Sequence, residues 1–413
     1  MDVWKTTCLV AGGGPAGMML GYLLARSGVS SVVVEKHGDF FRDFRGDTVH
    51  PSTTDLMHEL GILDEFLRQV PHQRREQLGI GLKGQTFDLV DFRHLPTACK
   101  YVAFMPQWDF LNFLADKAKQ YSSFRLEMNT EVTGLLWNSD RVVGATAQTA
   151  DGPVEIHADL VVACDGRSSV IRDQSGLPLK EFPMPIDVLW FRLPRDASAP
   201  ETLGYLGEGQ IIIAINRGDY LQCGAIIDKD SFERLKAEGL PAFRSSVGAA
   251  APFLATSLKA LTDWNQVMLL SVRANRLRTW WLPGLLCIGD AAHAMSPVGG
   301  IGVNYAIADA VAAANALAGP LRNGQIGDKD LRAVQRRREA PTKLAQRLQG
   351  AQTAKLARMR KKAPPMWMVR LLSRSAPTKR LLGRIMGLGF RREHIHTTEQ
   401  PVDLRRLETP EES

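Results

Sequence analysis

The chain is poor in cysteine. Its 413 residues carry five, Cys8, Cys99, Cys164, Cys223 and Cys287, and no two stand as a C-x-x-C pair. A disulfide framework is thereby excluded, and an odd, scattered set of thiols points to a reducing, cytoplasmic setting. There is no G-x-S-x-G and no H-E-x-x-H, which removes the commonest serine-hydrolase and zinc-peptidase readings. His394-x-His396 has no cysteine or acidic partner at ligand spacing, so no metal site is expected. No run of 18 apolar residues is present, so no helix is expected to span a membrane. Met1-Asp2 also lacks the basic start and long apolar core of a signal peptide. Internal repeats and low-complexity linkers are missing too.

Acidic residues are missing from one stretch in particular. Between Arg332 and Arg392 there are 18 Lys and Arg and one acid, Glu339. That is a local balance of +17 in a chain whose total is +7, so the remainder is net acidic at −10. The positive charge is therefore a property of the C-terminal region alone, for which nucleic acid, an anionic membrane and a plain solvated face are the competing readings.

What is present is a chain long enough for two intimately joined domains or one large α/β body, with a normal 45% apolar share. Thr6–Ala11 reads as a buried strand, Gly12–Gly17 as a glycine-rich turn, Pro15–Ser27 as a helix and Ser31–Glu35 as a second strand, which together make a β-α-β unit. Ser52–Leu60 reads as a helix opened by a Ser52-x-x-Asp55 box and stopped by Gly61. Asp109–Tyr121 is helical, and Phe124–Met128, Glu131–Trp137, Arg141–Thr149 and Asp159–Cys164 read as strands. Strand signals such as Gln210–Ile215 and Tyr220–Ile227 dominate residues 181–270. Leu285–Ile288 is a last buried strand, followed by a small-residue helix from about Gly302 to Leu317. Glu408–Ser413 reads as a short acidic tail.

Three motifs carry chemistry. Gly12-Gly13-Gly14-Pro15-Ala16-Gly17 fits G-x-G-x-x-G, where Gly12 permits the tight turn, Gly14 lets backbone approach a pyrophosphate and Gly17 lets helix pack on strand. The helix start offers free N–H groups to phosphates, and Glu35 ends the second strand where a carboxylate can take a ribose. Asp165-Gly166 opens a turn that runs on to Arg172. Gly289-Asp290-Ala291-Ala292-His293 ends a strand and is followed by Ser296-Pro297-Val298-Gly299-Gly300-Ile301-Gly302-Val303-Asn304. Here Asp290 can accept from ribityl hydroxyls, and a helix N-terminus can stabilise the negative charge of a reduced flavin ring. His293 reads as a packed loop residue.

These segments, in this order, resemble the G-x-G-x-x-G, D-G-x-x-S-x-x-R and G-D-A-A-H motifs of the para-hydroxybenzoate hydroxylase family of aromatic hydroxylases. These are class A flavoprotein monooxygenases. Arg42–Asp47 and Met105–Asp109 resemble further family segments, and the likeness covers about residues 5 to 320. Gly383–His394 resembles the end of bacterial members.

The resemblance implies an α/β fold: a Rossmann-type FAD-binding domain, an interleaved, mainly antiparallel substrate sheet and a C-terminal helical region. The expected division is 1–75, 100–180 and 270–320 for FAD, 76–99 and 181–269 for the sheet, and 321–413 for the C-terminal region. By resemblance the cofactor is held by Gly12, Gly14, Pro15, Ala16, Gly17, Glu35, Lys36, Arg45, Gln107, Asp165, Gly166, Arg172, Gly289, Asp290, Pro297, Gly300, Gly302, Val303 and Asn304. His50, Pro297 and Gly299 are the pocket candidates, His50 reading best as a packed residue. Ile301 departs from the family, where Gln is common.

The implied activity is insertion of one oxygen atom from O2 into an aromatic, polycyclic or other electron-rich substrate through a flavin C4a-hydroperoxide. NADH or NADPH would be a transient donor, and nucleic acid is not an expected partner. The alternative is a flavin reductase or dehydrogenase on the same fold, without oxygen insertion. A halogenase is not the expected reading, because Trp280-Trp281-Leu282-Pro283 is not the Trp-x-Trp-x-Ile-Pro string. Within the basic region, Trp367, Met368, Leu371 and Leu372, then Leu381, Leu382, Ile385, Met386 and Leu388, recur at helical spacing among cations. Peripheral docking on an anionic membrane is one expectation from this. Packing of these residues on the flavin domain, with the cations solvated, competes with it.

Overall fold

The computed structural model describes residues 2–41, 48–195, 204–207 and 209–400. Its central sheet is assembled from strands far apart in sequence, in the order Trp281–Leu282, Leu285–Cys287, Gly152–Ala163, Asp2–Ala11, Ser31–Val34, Phe124–Glu127. All pairs but the first in that order are parallel. Cys8–Ala11, Val32–Val34 and Leu160–Ala163 are continuous apolar runs, each residue 0–4% exposed, as strands covered on both faces must be. Ala11 lies level with Ala163 on one side and Val34 on the other, so three strands end together. In open α/β sheets, ligands sit outside those carboxyl ends. The first strand begins at Asp2 rather than Thr6, because its early residues pair with 154–158 while staying partly exposed, and apolar patterning reports only the buried half.

A second sheet of seven strands runs Met268–Leu270, Ile186–Pro194, Tyr220–Asp228, Gln210–Asn216, Gly204–Gly207, Gln77–Leu82, Gln85–Asp91. Residues 77–91 therefore join those of 186–270. Alternate side chains take opposite faces. Leu189, Phe191 and Leu193 pack with Phe243 and Val247 of helix Leu240–Ala250. Val188 and Trp190 face the other way, among Phe104, Ile213, Ile215 and Leu388. The Trp190 ring lies over its cross-strand neighbour Gly224, where any Cβ would come within 3.0 Å of it.

Two expectations are corrected. The helix near residue 52 spans Pro51–Glu59 and is entered from His50; Ser52 is inside it and caps nothing, since proline at the first position already presets the turn. The small-residue helix spans Gly302–Arg322, longer than expected. With the turn before it, Val298–Arg322 is long and apolar enough to cross a membrane by length and composition alone. Asn304, Asp309 and Asn315 interrupt its run in the sequence. It is a core helix, 67% buried, packed between helices Pro15–Arg26 and Asp328–Lys361.

The C-terminal region is a long helix, Asp328–Lys361, then Met366–Arg374 and Ala376–Leu388. The last lies on strand Gln85–Asp91, where Gly383 meets the Asp91 backbone so closely that no side chain would fit. Residues 390–400 then run as a strap over the first sheet's domain. Arg392 pairs with Asp55, His394 Nδ1 donates to Glu59 (2.6 Å), Asn315 binds both the His394 carbonyl and the His396 N–H, and Arg26 pairs with Glu399 (3.0 Å). The tail Glu408–Ser413 lies outside the described residues.

Candidate functional site

The glycine turn is shaped by two close approaches. Gly12 has φ +107, and a Cβ there would lie 2.5 Å from the Cys164 carbonyl oxygen. A Cβ on Gly17 would fall on the Gly12 carbonyl oxygen. The turn can therefore sit between the first strand and residues 164–165 only if both positions lack side chains. Gly14 is different: nothing lies within 4 Å of its Cβ position, and the helix it opens has no side-chain cap. Free N–H groups of Pro15–Arg26 and the positive end of its dipole thus face open space, the arrangement that binds phosphate. Glu35 reaches the same turn, accepting from the Gly13 N–H (3.0 Å) and the His37 N–H (3.1 Å). Lys36 turns away, more than half exposed, 3.9 Å from Glu131.

Asp165 stands where Gly152–Ala163 ends, against Gly12. Its Oδ2 accepts from the Ile171 N–H (3.3 Å), and its buried Oδ1 has no partner among the described residues. Burial holds this carboxyl above its ordinary value. Gly166 next to it faces open space. Arg172 is a brace. Its guanidinium, 5% exposed, donates to the Arg167 carbonyl (3.0 Å), the Ala291 carbonyl (3.5 Å) and Asp173 (3.1 Å). The arginine expected beside the pyrophosphate thus ties the second motif to the third.

The third motif closes onto the first. A Cβ on Gly289 would be 3.2 Å from that of Ala16 and 3.4 Å from that of Ala306. Asp290, a third exposed, accepts from Arg167 Nε (3.1 Å). In the loop after it, Thr48 donates to the Gly300 carbonyl (3.0 Å). Asn304 donates to the carbonyls of Thr48 and Gly300 (3.3 Å each) and accepts from the His50 N–H (2.9 Å) and Thr53 (2.7 Å). Pro297 and Gly299 stand in this loop; Gly302 and Val303 begin the uncapped helix Gly302–Arg322, with open space at Gly302. Met386, from helix Ala376–Leu388, comes within 3.9 Å of the Gly299 Cβ position. Gln107 opens helix Gln107–Ala118. Arg45 lies outside the described residues.

A buried charge network under the third motif escaped sequence reasoning. Asp309, fully buried, accepts at Oδ2 from the Gly289 N–H (3.1 Å) and His293 Nε2 (2.5 Å), and at Oδ1 from Arg338 Nε (2.8 Å). Arg338, 1% exposed, also donates to Glu393 (3.1 Å), which Arg337 holds from the other side (3.0 Å). Burial alone would raise the Asp309 carboxyl, but His293 and Arg338 outweigh it and hold it below its ordinary value. The one available signal was an acid inside the apolar helix Gly302–Arg322.

His50 is fully buried. Its Nδ1–H donates to the Met386 carbonyl (2.8 Å), which leaves Nε2 unprotonated and, among the described residues, without a partner. Burial, only partly offset by that bond, lowers it from 6.5 to about 4. The unfolded chain then binds the proton first as pH falls. His50's stabilising contribution is whole above pH 6.5 and fades toward pH 4, a change on the order of 3 kcal/mol. Unfolding free energies of wild type and His50→Gln should therefore converge across that window; parallel curves would refute the assignment.

The three glycine-bearing turns thus meet at one place, with two uncapped helix starts, a carboxylate at each turn and, among the described residues, nothing within 4 Å of the Gly14, Gly166 and Gly302 Cβ positions, which fits a dinucleotide. Residues 5–348 match the family described as FAD binding domain. The chain is 31% identical to 6-methylpretetramide 4-monooxygenase of Streptomyces rimosus over 354 residues, 85% of this chain and 84% of that protein. It is 28% identical to dialkyldecalin synthase of Streptomyces rugosporus, covering 74% of this chain and 63% of the synthase. OxyS anhydrotetracycline hydroxylase from Streptomyces rimosus superposes with a TM-score of 0.76 at 21% identity, over 94% of this chain and 77% of that one; at this identity the likeness concerns the fold.

Proposed function

Because the chain belongs to the FAD binding domain family, we propose that it hydroxylates a polycyclic aromatic compound with electrons from NADH or NADPH. It is an FAD-dependent monooxygenase of the class A flavoprotein type. The substrate class is our reading. It draws on the relatives' names and on the apolar face of Val188, Trp190, Ile213 and Ile215, which packs with Met386, the residue that reaches the Gly299 loop. The observation that carries the reading is the meeting of Gly12, Asp165 and Gly289 at the ends of adjacent strands.

On this reading Gly14 and the N–H groups after it bind the pyrophosphate, and Glu35 takes the adenosine ribose after releasing the Gly13 N–H. Asp290 takes ribityl or pyrophosphate contacts, with Arg167 sharing its carboxylate. The start of helix Gly302–Arg322 faces the flavin ring, its N–H groups stabilising negative charge there. FAD, when bound, supplies two-electron transfer from NAD(P)H and activation of O2. The protein's part is to orient the substrate and exclude water, for which the Trp190 face and Met386 serve. Arg217, donating to Gln222 (3.0 Å), adds a polar group at the turn between strands Gln210–Asn216 and Tyr220–Asp228. The partners are then the substrate, O2 and, through the C-terminal helices, an anionic lipid surface. Five free thiols, four of them buried, fit work in the cytoplasm.

The test is oxidation of NAD(P)H by the yellow holoprotein with tetracyclic polyketides, phenols and quinones under ¹⁸O₂. One labelled oxygen atom in a polycyclic product is expected. Reduced substrate without label would replace the reading with a reductase, and labelled phenol alone would overturn the substrate class.

A further inference from the structure

Two helices near the C-terminus expose a repeated stripe. On Met366–Arg374 the exposed residues are Trp367, Arg370, Leu371 and Arg374. On Ala376–Leu388, Arg380, Leu381 and Arg384 recur at the same spacing, ten residues on. Positions three and four apart share one helix face, so each stripe alternates apolar and cationic groups. Trp367, Leu371 and Leu381 are 69, 63 and 58% exposed, the three most exposed of the large apolar residues described. The other sides are anchored: Val369 packs with Leu82 and Phe87, and Gly383 and Gly387 lie against Asp91 and Leu95. Met368 and Leu372, which the sequence pattern placed on the apolar face, are half-buried.

The surrounding charge says what covers this face. No acid lies between Glu339 and Glu393. The block's ion pairs, Lys343–Glu339, Arg360–Asp228 and Arg392–Asp55, leave Arg374, Arg380 and Arg384 unpaired among the described residues. Two copies meeting here would set cation against cation. A surface of lipid phosphates above an acyl boundary satisfies both halves of the stripe at once: arginines reach phosphate while Trp and Leu enter the interface.

We propose that the face bearing Trp367, Arg370, Leu371, Arg374, Arg380 and Leu381 docks the protein on an anionic lipid bilayer, lying in its interface without crossing it. The same helix that carries Leu381 brings Met386 to the Gly299 loop, so docking sets the site beside the bilayer.

Co-sedimentation of the full FAD-loaded chain with phosphatidylglycerol-containing vesicles, against pure phosphatidylcholine, tests this without any activity readout. Binding to the anionic vesicles in low salt, weakened in high salt, is expected. Each cation near an anionic leaflet contributes about fivefold, so Arg370→Gln, Arg374→Gln, Arg380→Gln and Arg384→Gln combined should cost nearly three orders of magnitude, about 600-fold, in partitioning. Trp367→Ser with Leu371→Ser should cost about tenfold or more, with the melting temperature unchanged. The proposal is overturned if wild type fails to bind in low salt, if the variants bind as well as wild type, or if the substitutions abolish a dimer instead.

Discussion

A Gly12→Ala chain is expected to lose nearly all bound flavin. Position 12 has φ +107, where a side chain is strained by about 1–2 kcal/mol before any contact is considered. The added Cβ would also stand 2.5 Å from the Cys164 carbonyl, a backbone atom that cannot yield, because Ala163 and Ala11 are paired in the sheet. Strand and turn must then separate at the point where the phosphates bind. A loss of about a hundredfold or more in FAD affinity follows, with reduced stability. Asp290→Ala is the companion. That side chain is a third exposed with one partner among the described residues, Arg167, so its removal should weaken flavin binding and leave the melting temperature near wild type. Flavin absorbance per chain after gel filtration, read beside thermal unfolding, separates the two. A fully yellow Gly12→Ala protein would refute the assignment of the turn.

Arg338→Met should destabilise the protein by about 3–5 kcal/mol, because it removes the buried cation between two interior carboxylates, leaving Asp309 with His293 and the Gly289 N–H and Glu393, among the described residues, with Arg337 alone. The loss should spread to both neighbours of the network. Asp309 also holds His293 and the Gly289 N–H, so flavin affinity falls; Glu393 begins the strap, so protease sensitivity after residue 390 rises. Arg338→Lys should rescue little, since a single ammonium cannot reproduce the Nε and Nη1 bonds made in two directions. Denaturant unfolding measures it; a loss below about 1 kcal/mol would mean the network is not a unit.

The cofactor half of the fold was legible because its chemistry demands particular residues at short spacing. Gly12, Gly14 and Gly17 with Glu35 specify a turn, a helix start and a strand end within one β-α-β unit, and Val32–Val34 can only be a covered strand. Asp309–Arg338–Glu393 was not legible. Its members stand in three segments whose local patterns say small-residue helix, basic helix and tail, and only the packing brings them together. Arg172 shows a related limit. Its motif located it correctly beside the second turn, but whether a guanidinium faces a ligand or three carbonyl and carboxylate oxygens depends on neighbours such as Ala291, far along the chain. The start of the helix at Pro51 was missed because a Ser-x-x-Asp pattern outweighed, on paper, a proline whose ring fixes the backbone one residue earlier. The helix Val298–Arg322 shows the converse: composition alone does not distinguish a membrane segment from the centre of a core.

The central sheet also fixes a timetable. Asp2–Ala11 leaves the ribosome some 150 residues ahead of its partner Gly152–Ala163, and Leu285–Cys287 comes later still. At about 5–20 residues per second, the nascent first strand waits on the order of ten seconds or more for one neighbour and longer for the sheet to close. During that interval Leu9, Val10 and Val32–Val34, all sealed in the finished protein, are open to solvent and to other chains. Glu399 of the strap, which clasps Arg26 and Tyr121, follows Arg26 by 373 residues, so the helix Pro15–Arg26 is secured long after it is made. Yield of folded protein should accordingly be governed by chaperone supply and growth temperature during synthesis more than by the equilibrium stability of the completed fold.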